Sequence, residues 1–360
     1  MRATYRSRLP TTPLILPGPG VGYEAGTVGT AIDQRLRLAF TSRAPIDAAT
    51  MLGIEGCVTA AARRRNHVVA AIAETGQRLL AELEGTITEM QPDDRAQPML
   101  RADEDEERLA RMLLAAAWYA VNLRNPFAFG DTPLCKAAFA DPQNFTLGTL
   151  LAVPHRDLVD DLLAQLHRAE EGPLGDLRAS TEAHVCVPGP TFDGSAFVSA
   201  DADLICDGVL LEFKSTRRVH AFPLSAILQL LGYVLMDFSD TYKIDTVGVY
   251  LSRAGALMTW PLEDYLGLLG ARRRDLTELR TAFATLLSYA GCRADDDPLP
   301  DQLDGVHELL NDLAFVIPDG HCRVCAQPLD DPLLGPGRPR LYCSTFCSQR
   351  SATLRRHGWL

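Results

Sequence analysis

The chain has 360 residues, 47% of them hydrophobic and 22% charged, with nine cysteines and a formal net charge of −11. This is the composition of a globular protein with one large core and an appendage, and no apolar run is long enough to span a membrane. The acidic balance argues against a surface given over to coating nucleic acid, and an odd number of cysteines argues against a disulfide framework.

Residues 1–26 are rich in proline and glycine and read as irregular. The short apolar stretch at Thr12–Pro17 has neither the length nor the flanks of an export signal, so a cytoplasmic location is the expectation. Helical periodicity begins at Thr30, with Ile32, Leu36 and Phe40 on one side. It resumes over Leu52–Leu83, with the Arg63–Arg65 run on a solvated face. Gln91–Glu107 reads as a polar loop, and Arg108–Leu123 and Asp157–Glu170 read as helices.

After Gly175 the period changes. Strands are predicted at Ala183–Val187, Asp201–Cys206 and Val209–Ser215, a helix at Leu224–Asp237, and strands at Thr246–Ser252 and Ala256–Trp260. Leu262–Tyr289 reads as mostly helical. The aspartate- and proline-rich Arg293–Asp304 is the best linker, followed by a short helix near Val306–Phe315.

The most informative segment is Ser199–Thr216. Asp207-Gly208 is a strong two-residue hairpin signal, because both positions tolerate positive φ. Counting outward sets Cys206 opposite Val209, Ile205 opposite Leu210, Leu204 opposite Leu211 and Asp203 opposite Glu212. Lys214 then shares a face with Glu212. Two opposed carboxylates repel unless a cation lies between them, which points to a divalent metal site. Asp203 and Glu212 offer the oxygen ligands that Mg²⁺ or Mn²⁺ prefers, and the backbone carbonyl of Phe213 is a candidate third. Lys214 is placed to orient or deprotonate an attacking water and to offset phosphate charge. Asp201 faces the same way by parity and is an alternate ligand, an outer role being the stronger reading. Val209–Phe213 is apolar on both faces, as in a central strand covered by helices. On the following helix, Gln229 and Tyr233 are four residues apart on one face. Apolar positions fill most of the rest, so a nearly buried helix would aim these two polar groups at the charged end of the hairpin. Arg217, Arg218 and His220 read as a solvated loop that can also touch phosphate.

Asp203, Glu212-Phe213-Lys214 and Gln229-x-x-x-Tyr233 in this order resemble the PD-(D/E)xK nuclease superfamily, most closely the RecB-type branch that includes the CRISPR-associated exonucleases. The resemblance implies an α/β fold: a restriction-endonuclease-like mixed sheet flanked by helices, with an N-terminal helical elaboration. It also implies a Mg²⁺- or Mn²⁺-dependent deoxyribonuclease in DNA repair or in antiviral defence. That branch carries Gly-x-x-x-His on its first helix; here Gly29-Thr-Ala-Ile-Asp33 puts an aspartate in the histidine's place, which makes Asp33 a further candidate ligand. RNA as substrate, and a catalytically inactive DNA- or protein-binding adaptor, stay open as alternatives.

A second constellation lies at the C-terminus. Cys322-x-x-Cys325 and Cys343-x-x-x-Cys347 are two thiolate pairs at the spacing that closes a tetrahedral Zn²⁺ site, with His321 as a weaker substitute. The Tyr342-Cys-Ser-Thr-Phe-Cys347 ending resembles small treble-clef or ribbon-like zinc fingers that end in a basic helix. RecB-type exonucleases often hold an iron–sulfur cluster instead, but the paired spacing favours zinc. Residues 321–360 carry a net charge of +4. Arg338, Arg340, Arg350, Arg355 and Arg356 are therefore candidates to dock DNA or a protein partner. The other five cysteines, Cys57, Cys135, Cys186, Cys206 and Cys292, read as buried small hydrophobes. The predicted organisation is a nuclease-like domain over 1–292 with a helical insertion at about 45–175, a linker and short helix over 293–317, and a zinc module over 318–360.

Overall fold

A computed structural model describes residues 2–63, 66–271, 275–289, 319–324, 328–329 and 340–356. The chain divides into two units, Met1–Leu262 and Glu263–Leu360. The first is an α/β unit built on a five-stranded mixed sheet in the order β1-β2-β3-β4-β5. The strands are β1 (Cys186–Pro188), β2 (Leu204–Cys206), β3 (Val209–Lys214), β4 (Thr246–Leu251) and β5 (Ala256–Pro261). All neighbours are antiparallel except β3 and β4, which run parallel. A parallel pair needs a crossover, and the helix Leu224–Met236 supplies it.

The hairpin forms as its turn residues dictate. Asp207 and Gly208 take φ of 47° and 78°, and the register pairs Cys206 with Val209, Ile205 with Leu210 and Leu204 with Leu211. The ladder stops there, one rung short of Asp203 and Glu212. The N–H of Phe213 bonds the Asp203 carboxylate instead of a main-chain carbonyl, while the Asp203 carbonyl accepts from Gly189 on the β1 side. The predicted strand from Asp201 is thus shortened by a side chain that takes over a ladder position. Leu210, Leu211 and Phe213 are buried, in keeping with a central strand. Gly248 of β4 lets the neighbours close in, since a Cβ there would lie 2.7 Å from Leu211 Cδ2.

Helices precede the sheet: α1 (Arg2–Ser7), α2 (Ala25–Leu38), α3 (Ala48–Arg63), α4 (His67–Glu89) and α5 (Asp103–Arg124) lead the series, and Arg156–Glu170 follows. The N-terminal segment is not wholly irregular. Tyr5 of α1 is buried, stacks on Phe222 at 4.5 Å and donates to the Val219 carbonyl, so tertiary contacts hold a helix too short to stand alone. The predicted polar loop gives way to helix at Asp103, because four acidic residues in the first turn suit the positive end of the helix dipole. Helix α5 is then buried almost continuously from Leu109 to Ala120. The long predicted helix from Leu52 divides in two, and Asn66 caps α4 by accepting from the N–H groups of Val68 and Val69. Cys186 and Cys206 are buried partners across β1 and β2, with sulfurs 3.5 Å apart; Cys57 and Cys135 are also buried thiols, and Cys292 lies outside the described residues.

The second unit contains helices Leu262–Leu269 and Leu276–Tyr289, a turn around Gly320 and a C-terminal helix Thr345–Arg356. The predicted linker and short helix over 293–317 lie outside the described residues. No helix among the described residues is long and apolar enough to cross a membrane.

Candidate metal centre

The hairpin, α2 and the crossover helix bring Asp33, Asp201, Asp203, Glu212, Lys214, Gln229 and Tyr233 into one connected cluster. α2 supplies Asp33, the hairpin supplies Asp201, Asp203, Glu212 and Lys214, and the crossover helix supplies Gln229 and Tyr233. Glu212 is 4% exposed; its Oε1 accepts from Lys214 Nζ at 2.5 Å, while its Oε2 is buried without a partner. Burial above all, and then the neighbouring Asp203, push the Glu212 carboxyl up to about 8 against the pull of Lys214. A buried acceptor left unpaired costs free energy, so this oxygen marks a place where a proton or a cation belongs.

Lys214 also reaches Gln229 Oε1 at 3.3 Å, and Gln229 Nε2 donates to the Tyr233 hydroxyl at 2.7 Å. Tyr233 stacks on Phe192 with centroids 5.5 Å apart, and burial, seconded by Glu212, raises its phenol well above its ordinary value. The crossover helix is less buried than its sequence implies: Leu224 and Leu228 face solvent. Gln229 and Tyr233 nevertheless point at the charged end of the hairpin, as their spacing predicts. Behind β3, the buried amide oxygen of Gln165 accepts from both Ser215 and Ser252 at 2.8 and 2.7 Å, fixing the chain just past Lys214. Phe213 joins the cluster through its N–H, 2.5 Å from Asp203 Oδ2.

The sequence reading missed Arg37. Its guanidinium holds Asp33 through two bonds (Nε–Oδ1 3.1 Å, Nη2–Oδ2 2.8 Å), Asp203 Oδ1 at 2.6 Å and Asp201 Oδ2 at 3.2 Å. Burial works against the charge of Arg37, but Asp33, Asp203 and Asp201 outweigh it and keep the group protonated. The Asp33 carboxyl, a quarter exposed, is held well above its usual value by desolvation and by Asp203, with Arg37 opposing. The signal was present: Asp33 and Arg37 are four apart on α2, where opposite charges meet.

The donors are all carboxylate oxygens, one of them unpartnered, which fits a hard divalent cation and not a soft one. Just past Lys214 in the chain, Ser215, Thr216, Arg217 and Arg218 line a cleft of about 540 Å³ together with Pro17–Pro19. Arg217 and Arg218 are exposed there.

A second group of candidate metal ligands lies in the other unit. The sulfurs of Cys322, Cys343 and Cys347 are all within 4.8 Å of one another and can hold a metal ion; Cys322 and Cys347 are buried with Leu329. Cys325 lies outside the described residues, as does Arg338. Arg340 donates to the carbonyls of Tyr342 and Cys343 at 3.0 and 2.7 Å, and Arg355 donates to the Tyr342 hydroxyl at 2.9 Å. These two arginines brace the thiol pair. Arg350 and Arg356 fall on the C-terminal helix, but their side chains are outside what is described. His321 Nδ1 lies 3.3 Å from the Asp319 carbonyl.

Compared with protein-family models, with curated proteins and with solved structures, the chain matches none.

Proposed function

We propose that the first unit is a divalent-metal-dependent nuclease with a PD-(D/E)xK-type site that hydrolyses phosphodiester bonds of DNA, in DNA repair or in defence against foreign DNA. The observation that carries this reading is the buried, unpartnered Oε2 of Glu212 beside Asp203, on the same strand as Lys214. Asp203 and Glu212 would hold Mg²⁺ or Mn²⁺, which supplies Lewis-acid charge at the scissile phosphate.

The chain's own groups do the rest. Lys214 Nζ is a cationic donor at the mouth of the cluster, 36% exposed at its side chain. It is placed to orient a water or bind a non-bridging phosphate oxygen. Gln229 accepts from Lys214 and donates to Tyr233, so the pair sets the direction of the lysine. The Phe213 N–H and Arg37 hold Asp203 oriented. Arg217 and Arg218, which follow Lys214 in the chain, line a cleft where a nucleic-acid backbone would pass with its phosphates towards them. In the second unit, Cys322, Cys343 and Cys347, with Cys325 from the sequence spacing, would hold Zn²⁺ as a structural ion, thiolates being its preferred ligands.

Labelled DNA should be cut by the full chain with Mg²⁺ or Mn²⁺ and left intact with chelator, and cutting should vanish in Asp203→Ala and Lys214→Ala. Cleavage at the wild-type rate in both variants would remove the reading. A second reading has one observation behind it. Arg37 already bridges three carboxylates of the cluster, as a nuclease-like fold retained as a DNA- or protein-binding adaptor would allow. DNA binding indifferent to Mg²⁺, with no cleavage, would favour it.

A further inference from the structure

We infer that Arg37 is a built-in cation occupying one half of the carboxylate cluster, so that the site takes one divalent ion, at Glu212 and Asp203, and not two. The inference rests on the metal-centre reading above and concerns what that centre can hold.

The hydrogen bonds divide the cluster into two halves. On one side, Arg37 engages both oxygens of Asp33, one oxygen of Asp203 and one of Asp201. On the other, Glu212 presents its free Oε2. Asp203 joins the halves, giving Oδ1 to Arg37 and Oδ2 to the Phe213 N–H. Every carboxylate except Glu212 is thus hydrogen-bonded by the one guanidinium.

The charges agree with this division. With all four ionised, as they would be around a bound cation, Asp33, Asp201, Asp203 and Glu212 face Arg37 and Lys214 and leave two negative charges uncompensated, the charge of one divalent cation. A second divalent ion would have to displace Arg37 or lie against it. Displacement is resisted by packing as well as by charge, because the Arg37 side chain is only 8% exposed. The same α2 helix is pinned one residue pair away by the buried Arg35–Glu106 pair. A guanidinium with several donors in a rigid fork is suited to hold three carboxylates at once.

Asp33 is therefore a positioning residue for Arg37 and not a metal ligand. That separates this chain's first-helix aspartate from the ligating role its sequence position suggests.

The test is Mn²⁺ binding to the zinc-loaded full chain, followed by calorimetry and by electron paramagnetic resonance. Wild type should bind one Mn²⁺ per chain at a site abolished by Glu212→Gln. Arg37→Met should bind a second Mn²⁺, or bind the first about tenfold tighter or more, since a positive charge has been removed from beside it. Arg37→Lys should keep the one-ion stoichiometry. Because Arg37→Met loses three ion pairs and can fail to fold, Asp33→Asn provides an independent arm. It should leave the one-ion stoichiometry intact, where loss of a ligand would cost the site. Two ions in the wild type, or loss of Mn²⁺ in Asp33→Asn, would overturn the inference while leaving a metal-dependent centre standing. No Mn²⁺ bound by the wild type would remove the metal-centre reading itself, and the inference with it.

Discussion

Arg35 of α2 and Glu106 of α5 form a fully buried two-point ion pair, Nε–Oε1 2.6 Å and Nη2–Oε2 2.8 Å, that fixes the helix carrying Asp33 and Arg37. The Arg101 N–H also donates to Glu106, and Arg35 donates to the Met99 carbonyl. Removing one member strands the other charge in the core. Glu106→Gln should therefore destabilise the protein by about 3–5 kcal/mol in urea unfolding; a loss below about 1 kcal/mol would mean the pair is solvated in solution.

Acid should act through the same pair. Burial pushes the Glu106 carboxyl up, but Arg35 and the N–H of Arg101 more than reverse it, and the folded value lies below the ordinary one of 4.5. A depressed carboxyl contributes stability that is present above the unfolded value and is lost as the pH falls through the folded one. Wild type should lose stability below pH 4.5 more steeply than Glu106→Gln, as read by unfolding midpoints across that range.

Glu212 should act in the opposite direction. Its folded value of about 8 lies above the ordinary 4.5, so the folded metal-free protein holds a proton that the unfolded chain has lost. That contribution is fully present below 4.5 and disappears as the pH rises through about 8. With chelator present, stability should fall over this interval, and Glu212→Gln should flatten the fall. An equal slope in the variant would place the titration elsewhere.

Thiolate ligation in the second unit has a simple readout. Zinc should purify with the protein at about one equivalent and without visible absorbance of an iron–sulfur chromophore, and Cys347→Ser should release it with loss of helical signal from the C-terminal helix. Retention of zinc in that variant would disconnect the cluster at Cys322, Cys343 and Cys347 from the metal.

The cleft arginines give a graded effect. Arg217→Ala with Arg218→Ala should weaken DNA binding for all sequences alike and lower the dependence on salt by about one phosphate contact for each arginine. An unchanged salt slope would move the nucleic acid away from the cleft.

What could be read from the residues was what local rules control. Asp207-Gly208 forced the turn, the turn fixed the register, and the four-residue spacing of Gln229 and Tyr233 set their direction. Long-range pairing was less legible. The end of β2 at Leu204 depends on Asp203 capturing the N–H of Phe213 with its side chain, which no alternation pattern reports. Helix α1 exists because Tyr5 reaches Phe222 and Val219, more than two hundred residues away. Arg37 was hidden for a related reason: its pairing with Asp33 is local, but its purpose shows only when Asp201 and Asp203 arrive beside it. Gln165 meets Ser215 and Ser252 in the same way.

The most direct measurement is a comparison of wild type with Glu212→Gln in one preparation, recording Mn²⁺ binding and cleavage of labelled DNA together. The substitution keeps the shape of the side chain and removes its charge. The proposed centre requires the variant to remain folded, to lose the Mn²⁺ site, and to cut at least about a hundredfold more slowly. Wild-type cleavage in a folded variant that no longer binds Mn²⁺ would contradict it.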